Sequence, residues 1–577
     1  MIKKRLELMR SEMEKQGFSG YIIPSCDEYL SEYTPPHAKR LEYMTGFTGS
    51  NGLAIVLGNT VLFFTDGRYI TQCFSELDDH LFEVFNQQLI NEFNWDEFLG
   101  QESVVAYDPK LFTDPGLKKF AKLNLKPCNE NLVDKIWQQQ PHKPNSKIYE
   151  YPLEYAGQHW QEKIEQCREV MTQHEANALL ITDPASVCWL LNIRAGDIEF
   201  SPILLANVIV LQEKTYLFTD INRFEHSLVR DNLEVLPEIE LEKILASING
   251  LVLFDKTQCS SYIAAIVKQK QSKHLSNPCM LWKACKNKIE IECMQQGHIQ
   301  DAVAVCEMLS FIASEDLSLL SEYDIGIKLT ELRSKGKNYL YDSFPTICGF
   351  QENGAIIHYR ASKENAKKLT DQGLLLLDSG GQYLGATTDI TRTVAIGTPQ
   401  KEHKELYTKV LKGHIALALA RFPKHKVCGA NLDILARQYL WQDGLDYAHG
   451  TGHGVGSFLS VHEGPQSISM FSGVKIEAGM VMSNEPGYYV PGQFGIRIEN
   501  MMYAKESNIP GFLDFEMLTL VPYERELIEF DMLSTSEITY LSSYYQKIEQ
   551  YIQPLLSDRA KKWLKNQMSN LHKMPPK

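Results

Sequence analysis

Two aspartates embedded in apolar, strand-like sequence constrain the fold of this chain more than any other feature. Asp378 and Asp389 lie in the segment LLLLDSGGQYLGATTDITRTVAI at 374–396. The run before Asp378 is typical of a buried strand, Asp389 lies in a Thr-rich, strand-prone run, and the glycines between them predict a turn. One aspartate alone is more simply a turn cap. Two at strand positions favour a hairpin with paired or metal-bound carboxylates, since buried charge is otherwise costly.

Two further acids follow the same pattern. Glu485 ends an apolar strand within AGMVMSNEPGYYV at 478–490. The segment GIRIEN at 495–500 alternates strictly, which predicts a strand with Arg497 and Glu499 on one face. A solvated face is the simpler interpretation of that alternation. It does not explain why an acid again ends a hydrophobic strand.

The segment HGTGHGVG at 449–456 adds His449 and His453, with a glycine at every even position. It lacks the Lys-Ser/Thr ending of a phosphate-binding loop. Two Asp, two Glu and one imidazole form an oxygen-rich set that suits Mn²⁺ better than a cysteine-based zinc site. Four carboxylates carry too much charge for one divalent ion. The set therefore predicts two bridged divalent ions, as in two-metal hydrolases.

Length and composition exclude several classes of protein. The 577 residues are too many for one core, and the net charge of −14 argues against nucleic-acid or anionic-membrane partners. The 12 cysteines contain no CxxC pair, which suits a reducing compartment. The charged N-terminus has no apolar signal core, and no apolar run reaches the ~20 residues of a membrane span. We therefore expect a cytoplasmic protein.

A diverged repeat organises the first half of the chain. Both copies, at 20–69 and 177–223, contain a short apolar strand, a polar turn and a later strand that ends in Phe-Thr-Asp. Alternating strands and helices predict α/β domains. A Pro-rich, polar stretch at 138–152 is typical of a linker, and a second break falls at 273–280. The predicted domains are residues 1–143, 144–284 and 285–577.

Helical patterns begin and end the third domain. Residues 288–312 carry apolar side chains at helical spacing, and His298 beside that stripe is interpreted as a structural core histidine. The tail at 530–577 is helix-prone, with a long candidate helix at 535–555. It is expected to pack on the domain or to support a dimer.

At its acidic motifs the chain resembles the M24, or pita-bread, metallopeptidase family. The matching motifs are LLDSG, TTDITRT, HGTGHGVG, NEPGYY and GIRIEN. The resemblance implies an α/β (α+β) protein with two creatinase-N-like α/β domains followed by a C-terminal pita-bread domain. The family's five metal ligands match, in order, Asp378, Asp389, His453, Glu485 and Glu499.

The resemblance also implies roles for residues outside the ligand set. Three histidines match substrate-binding or intermediate-stabilising positions, namely His358, His449 and His462, although each taken alone is more simply structural. Glu485 is expected to move a proton to the leaving nitrogen. Arg497 is expected to orient the ligand carboxylates and to offset their charge.

The implied activity is metal-dependent removal of the N-terminal residue from peptides with proline in second position. A hydroxide bridging two Mn²⁺ ions would attack the Xaa-Pro bond. Peptides are then the partners, and relatives imply a homodimer. Alternatives are a prolidase that cleaves only Xaa-Pro dipeptides, a methionine aminopeptidase, a creatinase, or a non-catalytic relative that binds partners. A complete ligand set counts against the creatinase and non-catalytic alternatives.

Overall fold

The computed structural model describes residues 1–224 and 230–569. These form two compact units, one of Met1–Leu153 with Gln158–Cys279 and one of Glu154–Gly157 with Met280–Lys577. Within the described residues, none of the helices combines the length and apolar character needed to cross a bilayer. All twelve cysteines are free thiols.

The first unit contains two six-stranded sheets. The strands of the first sheet and its neighbourhood are β1 (Gly20–Pro24), β2 (Leu53–Leu57), β3 (Val61–Thr65), β4 (Phe82–Asn86), β5 (Val104–Tyr107) and β6 (Asn124–Pro127). The remaining strands of this unit are β7 (Tyr149–Glu150), β8 (Ala178–Ile181), β9 (Ile193–Arg194), β10 (Asn207–Leu211), β11 (Thr215–Phe218), β12 (Leu233–Leu236), β13 (Val252–Phe254) and β14 (Ser272–His274).

The two sheets share one topology. Their strand orders are β4-β3-β2-β1-β5-β6 and β12-β11-β10-β8-β13-β14. In each sheet the three central strands pair antiparallel, and the outer strands join in parallel. The predicted repeat is confirmed, since its two copies begin the two equivalent sheets.

Helices cover these sheets because their apolar side chains recur at helical spacing. In the first helix, for example, Leu6, Met9 and Met13 are buried along one face. The helices of this unit are α1 (Ile2–Lys15), α2 (Arg40–Thr45), α3 (Ile70–Glu76), α4 (Asp114–Leu117), α5 (Leu132–Ile136), α7 (Trp160–Gln173), α8 (Pro184–Leu191), α9 (Leu241–Ser247) and α10 (Ser261–Val267). Two further helices, α6 (Leu153–Ala156) and α11 (Pro278–Ala284), belong mostly to the second unit.

The second unit surrounds small, mostly antiparallel sheets with longer helices. The helices are α12 (Lys288–Ser314), α13 (Glu322–Arg333), α14 (Lys401–Ala418), α15 (Gly429–Trp441), α16 (Thr535–Tyr551) and α17 (Asp558–Gln567). Asn287 and Glu290 form a capping box that begins α12. His298 is buried in α12 with its Nδ1 2.7 Å from the carbonyl oxygen of Met294, as expected for a core histidine.

The acids that the sequence singles out lie in the strands of this unit or directly beside their ends. They are β15 (Tyr339–Asp342), β16 (Ile347–Phe350), β17 (Gly373–Ser379), β18 (Gly381–Tyr383), β19 (Ala386–Thr387), β20 (Ile390–Ile396), β21 (Arg421–Pro423), β22 (Gly452–His453), β23 (Ser467–Ile468), β24 (Val481–Asn484), β25 (Gly487–Val490), β26 (Phe494–Arg497), β27 (Asn500–Glu506) and β28 (Phe512–Met517). The sheet orders are β15-β18-β19, β16-β17-β20 and β21-β28-β27-β24, and β22-β23 and β25-β26 are two-stranded.

The predicted hairpin is confirmed, with an insertion. Strands β17 and β20 pair antiparallel over their whole length. Between them, β18 and β19 form a second, smaller hairpin that pairs with β15 instead. Gly385 turns this small hairpin with a φ of +92°, a conformation that favours glycine.

Candidate metal centre

The hairpin brings the two aspartates to one buried end of the sheet. Asp378 lies in β17 opposite Thr391, and Asp389 immediately precedes β20. Both side chains are buried, at 7% and 4% exposure. The strand pairing therefore places two carboxylates side by side in the interior.

A second pair of strands delivers the two glutamates. Strand β24 pairs antiparallel with β27, so that Asn484 is opposite Asn500. Glu485 follows the first of these residues, and Glu499 precedes the second. The predicted single strand at 495–500 is wrong, because β26 ends at Arg497 and β27 begins at Asn500. The solvated-face interpretation is also wrong, since Arg497 and Glu499 are 1% and 2% exposed.

His453 faces these acids from β22. Its Nε2 lies 3.4 Å from Oδ2 of Asp389 and 3.5 Å from Oε1 of Glu485. Ligand atoms of Asp389, His453 and Glu499 all lie within 4.8 Å of one another. Gly452 permits this approach, because a Cβ there would lie 2.0 Å from the carbonyl oxygen of Ser483. The glycines of the HGTGHGVG segment thus let the backbone pack directly against β24.

The charges at this site fit divalent cations. Burial raises the pKa of the Asp389 carboxyl well above its usual range, and the charges of Asp378 and Glu485 raise it further. Burial likewise raises the pKa of Glu499, with Asp389 the next cause. Oδ1 of Asp378 is buried without a hydrogen-bond partner. Clustered acids and an unpartnered oxygen match the ligand set of hard or borderline divalent ions.

Arg497 connects this cluster to His449 through Tyr489. Its Nη2 donates to Oδ2 of Asp378 at 2.6 Å, and its Nη1 donates to Tyr489 Oη at 2.7 Å. The same tyrosine hydroxyl lies 2.8 Å from Nε2 of His449. Burial raises the pKa of Tyr489 to about 12, which keeps this hydroxyl protonated at neutral pH. One guanidinium therefore holds both an acid of the cluster and the tyrosine that contacts His449.

Thr391 extends the same network to a second acid. Its hydroxyl accepts from Nε of Arg497 at 3.2 Å and donates to Oε2 of Glu499 at 2.7 Å. Its carbonyl oxygen also accepts the backbone N–H of Glu499 at 3.1 Å. Side chain and backbone together fix the orientation of Glu499.

Ser483 makes similar hydrogen bonds to His453 and Glu485. Its hydroxyl accepts the backbone N–H of His453 at 2.9 Å and donates to Oε1 of Glu485 at 3.0 Å. Glu485 also donates its backbone N–H to the carbonyl oxygen of Thr451 at 2.7 Å. These bonds join strand β24 to the HGTGHGVG segment beside the side chains of His453 and Glu485.

The other predicted histidines lie at the edges of the cluster. The ring of His462 packs edge-on against His453, with centroids 4.3 Å apart. His358 follows Ile357, whose carbonyl oxygen accepts from Arg497 at 3.3 Å. His449 is linked to the cluster through Tyr489, whose hydroxyl also accepts from Arg497.

Sequence reasoning missed Thr391, Ser483 and Tyr489. Each lies in a motif already singled out for an acid, two residues or four residues away from it. Polar side chains with strand periodicity relative to a buried acid were the available signal.

Family models match nearly the whole chain. The model of metallopeptidase family M24 matches residues 292–506, and the C-terminal region of peptidase M24 matches residues 511–571. The creatinase/prolidase N-terminal domain matches twice, at residues 5–134 and 139–290. A relative from Dictyostelium discoideum, Xaa-Pro aminopeptidase 1, is 36% identical over 99% of this chain and 97% of its own. The chain belongs to the M24 metallopeptidase family.

Further comparisons agree with this assignment. A probable Xaa-Pro aminopeptidase P from Laccaria bicolor is 35% identical over 98% of this M24 metallopeptidase and 93% of its own length. The crystal structure of X-prolyl aminopeptidase from Caenorhabditis elegans matches with a TM-score of 0.93 and 31% identity, covering 98% of this chain and 99% of that one. That protein is described as a cytosolic enzyme with a di-nuclear active site. The expected fold, two creatinase-type domains before an M24 domain, is confirmed, and the chain is a hydrolase.

Proposed function

We propose that this M24 metallopeptidase is an aminopeptidase that removes the N-terminal residue from peptides with proline in second position. The observation that carries the proposal is the convergence of Asp389, Glu499 and His453, with Glu485 beside His453 and Asp378 beside Asp389, in a chain similar along its whole length to Xaa-Pro aminopeptidases. We propose two divalent ions, with Mn²⁺ as the native metal. They are held by Asp378, Asp389, His453, Glu485 and Glu499.

When bound, two divalent ions supply an activated water and polarise the scissile carbonyl. The chain's own groups prepare the ligands for this. Arg497 donates to Oδ2 of Asp378, Thr391 donates to Oε2 of Glu499, and Ser483 donates to Oε1 of Glu485. Each of these proposed ligands keeps its second carboxylate oxygen for a metal ion. Such hydrogen bonds fix carboxylate orientation and typically affect activity or metal affinity by about 10–100-fold.

Glu485 is the proposed carrier of the proton. Its side chain is 17% exposed, unlike the more deeply buried Asp389 and Glu499. Ser483 holds Oε1 at 3.0 Å, so the carboxylate is oriented as well as accessible. It can take a proton from the attacking water and deliver it to the proline nitrogen as the bond breaks.

His462 is the proposed donor to the oxyanion. Edge-on packing against His453 directs this half-buried ring along the rim of the cluster. A donor placed where negative charge develops stabilises the transition state more than the ground state. Glu463, the next residue, is held by Lys283 at 3.2 Å and Lys286 at 2.9 Å, which anchors this loop.

His449 and His358 are proposed to hold the peptide beyond the scissile bond. His449 is anchored through Tyr489, and His358 lies next to a carbonyl oxygen bound by Arg497. We propose that the free amine of the substrate binds near the cluster and Asp378. This position limits cleavage to removal of the single N-terminal residue. Proline removes the N–H of the scissile amide and fixes φ near −65°, so a site shaped for its ring gains affinity from that rigidity.

We also propose that the protein is cytoplasmic and homodimeric, and that its domains are residues 1–143, 144–284 and 285–577. The cytosolic description of the nematode enzyme supports the first proposal. The family resemblance supports the second. Light scattering after size-exclusion chromatography tests the dimer, since a mass near 65.9 kDa would mean a monomer.

One assay tests the activity. Arg-Pro-Pro, Arg-Ala-Pro, Arg-Pro and N-acetyl-Arg-Pro-Pro are compared on one metal-loaded preparation. We expect rapid release of arginine from Arg-Pro-Pro, a sharply lower kcat/KM for Arg-Ala-Pro and no cleavage of the acetylated peptide. Hydrolysis of Arg-Pro alone would mean a prolidase. Equal rates with proline and alanine would mean a general aminopeptidase, and no hydrolysis of any peptide would mean a non-catalytic relative.

A further inference from the structure

A fully buried arginine lies behind the acidic cluster and makes its hydrogen bonds to neutral groups. Arg392, in β20, is 1% exposed. Its Nε donates to the carbonyl oxygen of Pro522 at 2.9 Å, and its Nη2 donates to that of Val521 at 2.7 Å. Nη2 also donates to Oδ1 of Asn500 at 2.8 Å. Burial of a cation among neutral acceptors costs free energy, so we expect its remaining contacts to account for the burial of Arg392.

The reason lies in the third nitrogen of this guanidinium. Nη1 donates to the carbonyl oxygen of Thr391 at 2.8 Å and to that of Glu499 at 2.6 Å. The first oxygen belongs to β20, two residues after Asp389, and the second belongs to a proposed ligand itself. Arg392 thus joins the backbones of the two segments that present Asp389 and Glu499.

Helix α16 completes this arrangement through one hydroxyl. Tyr544 Oη lies 3.5 Å from Nη2 of Arg392 and accepts from Nδ2 of Asn500 at 3.2 Å. It also accepts the backbone N–H of Val521 at 3.1 Å and contacts the carbonyl oxygen of the same residue at 2.9 Å. The hydroxyl therefore contacts the arginine and two of the groups that the arginine binds. Tyr544 lies in the segment matched by the C-terminal M24 region.

We propose that Arg392 and Tyr544 are positioning residues of the metal centre, and that helix α16 is therefore required for tight metal retention. The inference rests on the proposed ligand assignment of Asp389 and Glu499. Neither residue contacts the ligand side chains. They act by fixing the spacing of two backbone segments, and a divalent ion is sensitive to that spacing because its ligands must converge.

The neighbouring residue offers a matched control. Tyr545 lies on the same helix, is 2% exposed against 3% for Tyr544, and its hydroxyl also bonds the backbone. Its partners are the N–H and carbonyl oxygen of Tyr523, both at 3.2 Å. Loss of the Tyr545 hydroxyl removes two buried hydrogen bonds, whereas the Tyr544 hydroxyl has five polar contacts, one of them to the carbonyl oxygen of Thr519 at 3.0 Å. Only Tyr544→Phe alters the support of Arg392.

The test is retention of Mn²⁺ by the full-length, metal-loaded protein during titration with EDTA, with bound metal measured by mass spectrometry. We expect Tyr544→Phe to lose half of its metal at about tenfold lower EDTA, as is typical for outer-shell partners. Tyr545→Phe should retain Mn²⁺ like the wild type. Both variants should lower the melting temperature of the metal-free protein, Tyr544→Phe by more because it loses more buried contacts. Equal metal retention in the two variants would overturn the inference.

A second variant tests the inference even if Tyr544→Phe folds poorly. Arg392→Lys keeps the charge, but one ammonium with three N–H donors cannot replace the guanidinium's bonds to Thr391, Glu499, Pro522, Val521 and Asn500. It should release Mn²⁺ at least as readily as Tyr544→Phe, and wild-type retention in this variant would also overturn the inference. Wild-type protein that binds no Mn²⁺ at all would instead refute the proposed function, so the two failures are distinguishable.

Discussion

Arg497 donates through Nη2 to Oδ2 of Asp378 at 2.6 Å, and both side chains are buried. The burial of this pair is compensated by further bonds, since the other nitrogens of Arg497 reach Tyr489 and Thr391. A planar fork is required for three simultaneous contacts in different directions. The geometry of the guanidinium, as well as its charge, is therefore needed at this position.

Replacement of Arg497 by lysine tests that geometry. An ammonium group can keep the contact with Asp378 but loses the contacts with Tyr489 and Thr391. We expect kcat for Arg-Pro-Pro to fall by about 10–100-fold, the range typical of groups that orient metal ligands. The control is Arg421→Lys at an exposed ion pair with Asp514, which should leave kcat unchanged. Wild-type kcat in Arg497→Lys would show that charge alone suffices.

Thr391→Val removes one hydroxyl without changing side-chain volume. Oε2 of Glu499 and Nε of Arg497 both lose a buried partner, so we expect about tenfold weaker Mn²⁺ retention or lower kcat. Thr393→Val is the matched control on the same strand, because that hydroxyl bonds only the backbone of Arg497. The control removes two buried hydrogen bonds, so it should cost roughly 2 kcal/mol of stability and leave metal retention unchanged. Identical metal retention in both variants would mean that Thr391 does not orient Glu499.

The hairpin of Asp378 and Asp389 could be predicted from sequence because its information is local. Apolar residues, acids and turn glycines all lie within one short segment. The inserted hairpin could not, because β18 and β19 are only three and two residues long and pair with β15, a strand from about forty residues earlier. Short strands of this kind depend on tertiary pairing rather than on intrinsic propensity.

The contacts that orient the ligands were also beyond sequence reasoning. Thr391 and Glu499 are 108 residues apart in the chain, and nothing local to either one indicates the other. The break in the strand at 495–500 has the same origin. Ile498 donates its N–H to the carbonyl oxygen of Pro486, its partner in the β25–β26 register, but proline has no N–H to donate in return. Glu499 then donates to the carbonyl oxygen of Thr391, so the regular strand ends before it.

Metal removal should abolish activity. The pKa values of Asp389 and Glu499 are raised mainly by burial in the metal-free chain, so the cluster is unfavourable without compensating cations. After dialysis against EDTA we expect loss of peptidase activity and a lower melting temperature, both restored by Mn²⁺ at two ions per chain. Titration with metal analysis gives the stoichiometry. Full activity in rigorously metal-free protein would refute the metallopeptidase proposal.

Substitution of His453 and His462, whose rings pack edge-on, should separate metal binding from catalysis. His453→Ala should lose metal and rate together, because the ion loses a ligand. His462→Ala should retain its metal and lose mainly kcat, by roughly 10²-fold or more, as for removal of a transition-state donor. Metal content and steady-state kinetics on both variants distinguish these outcomes. A His462→Ala protein that is metal-free and unfolded would mean that this residue is structural.

The buried imidazole of His414 should make stability fall in mild acid. Its Nε2 lies 3.1 Å from Tyr523 Oη, its Nδ1 has no hydrogen-bond partner, and burial, followed by the charge of Arg392, lowers its pKa to about 3. The folded chain therefore keeps this ring neutral, whereas the unfolded chain protonates it below a pKa of about 6.5. The stabilisation is complete above that value and is lost as the pH falls from there toward 3. At pH 5 the loss is about 2 kcal/mol relative to pH 7.5.

His414→Gln removes this titration while an amide can still bond Tyr523. We expect the variant to be less stable than the wild type at pH 7.5, and the difference in unfolding free energy to shrink by about 2 kcal/mol at pH 5. Urea-induced unfolding of the metal-free proteins at several pH values measures this. The control is His80→Gln, whose side chain is 91% exposed and should give no pH-dependent difference. A constant difference between His414→Gln and the wild type from pH 7.5 to 5 would mean that folding does not lower the pKa of His414.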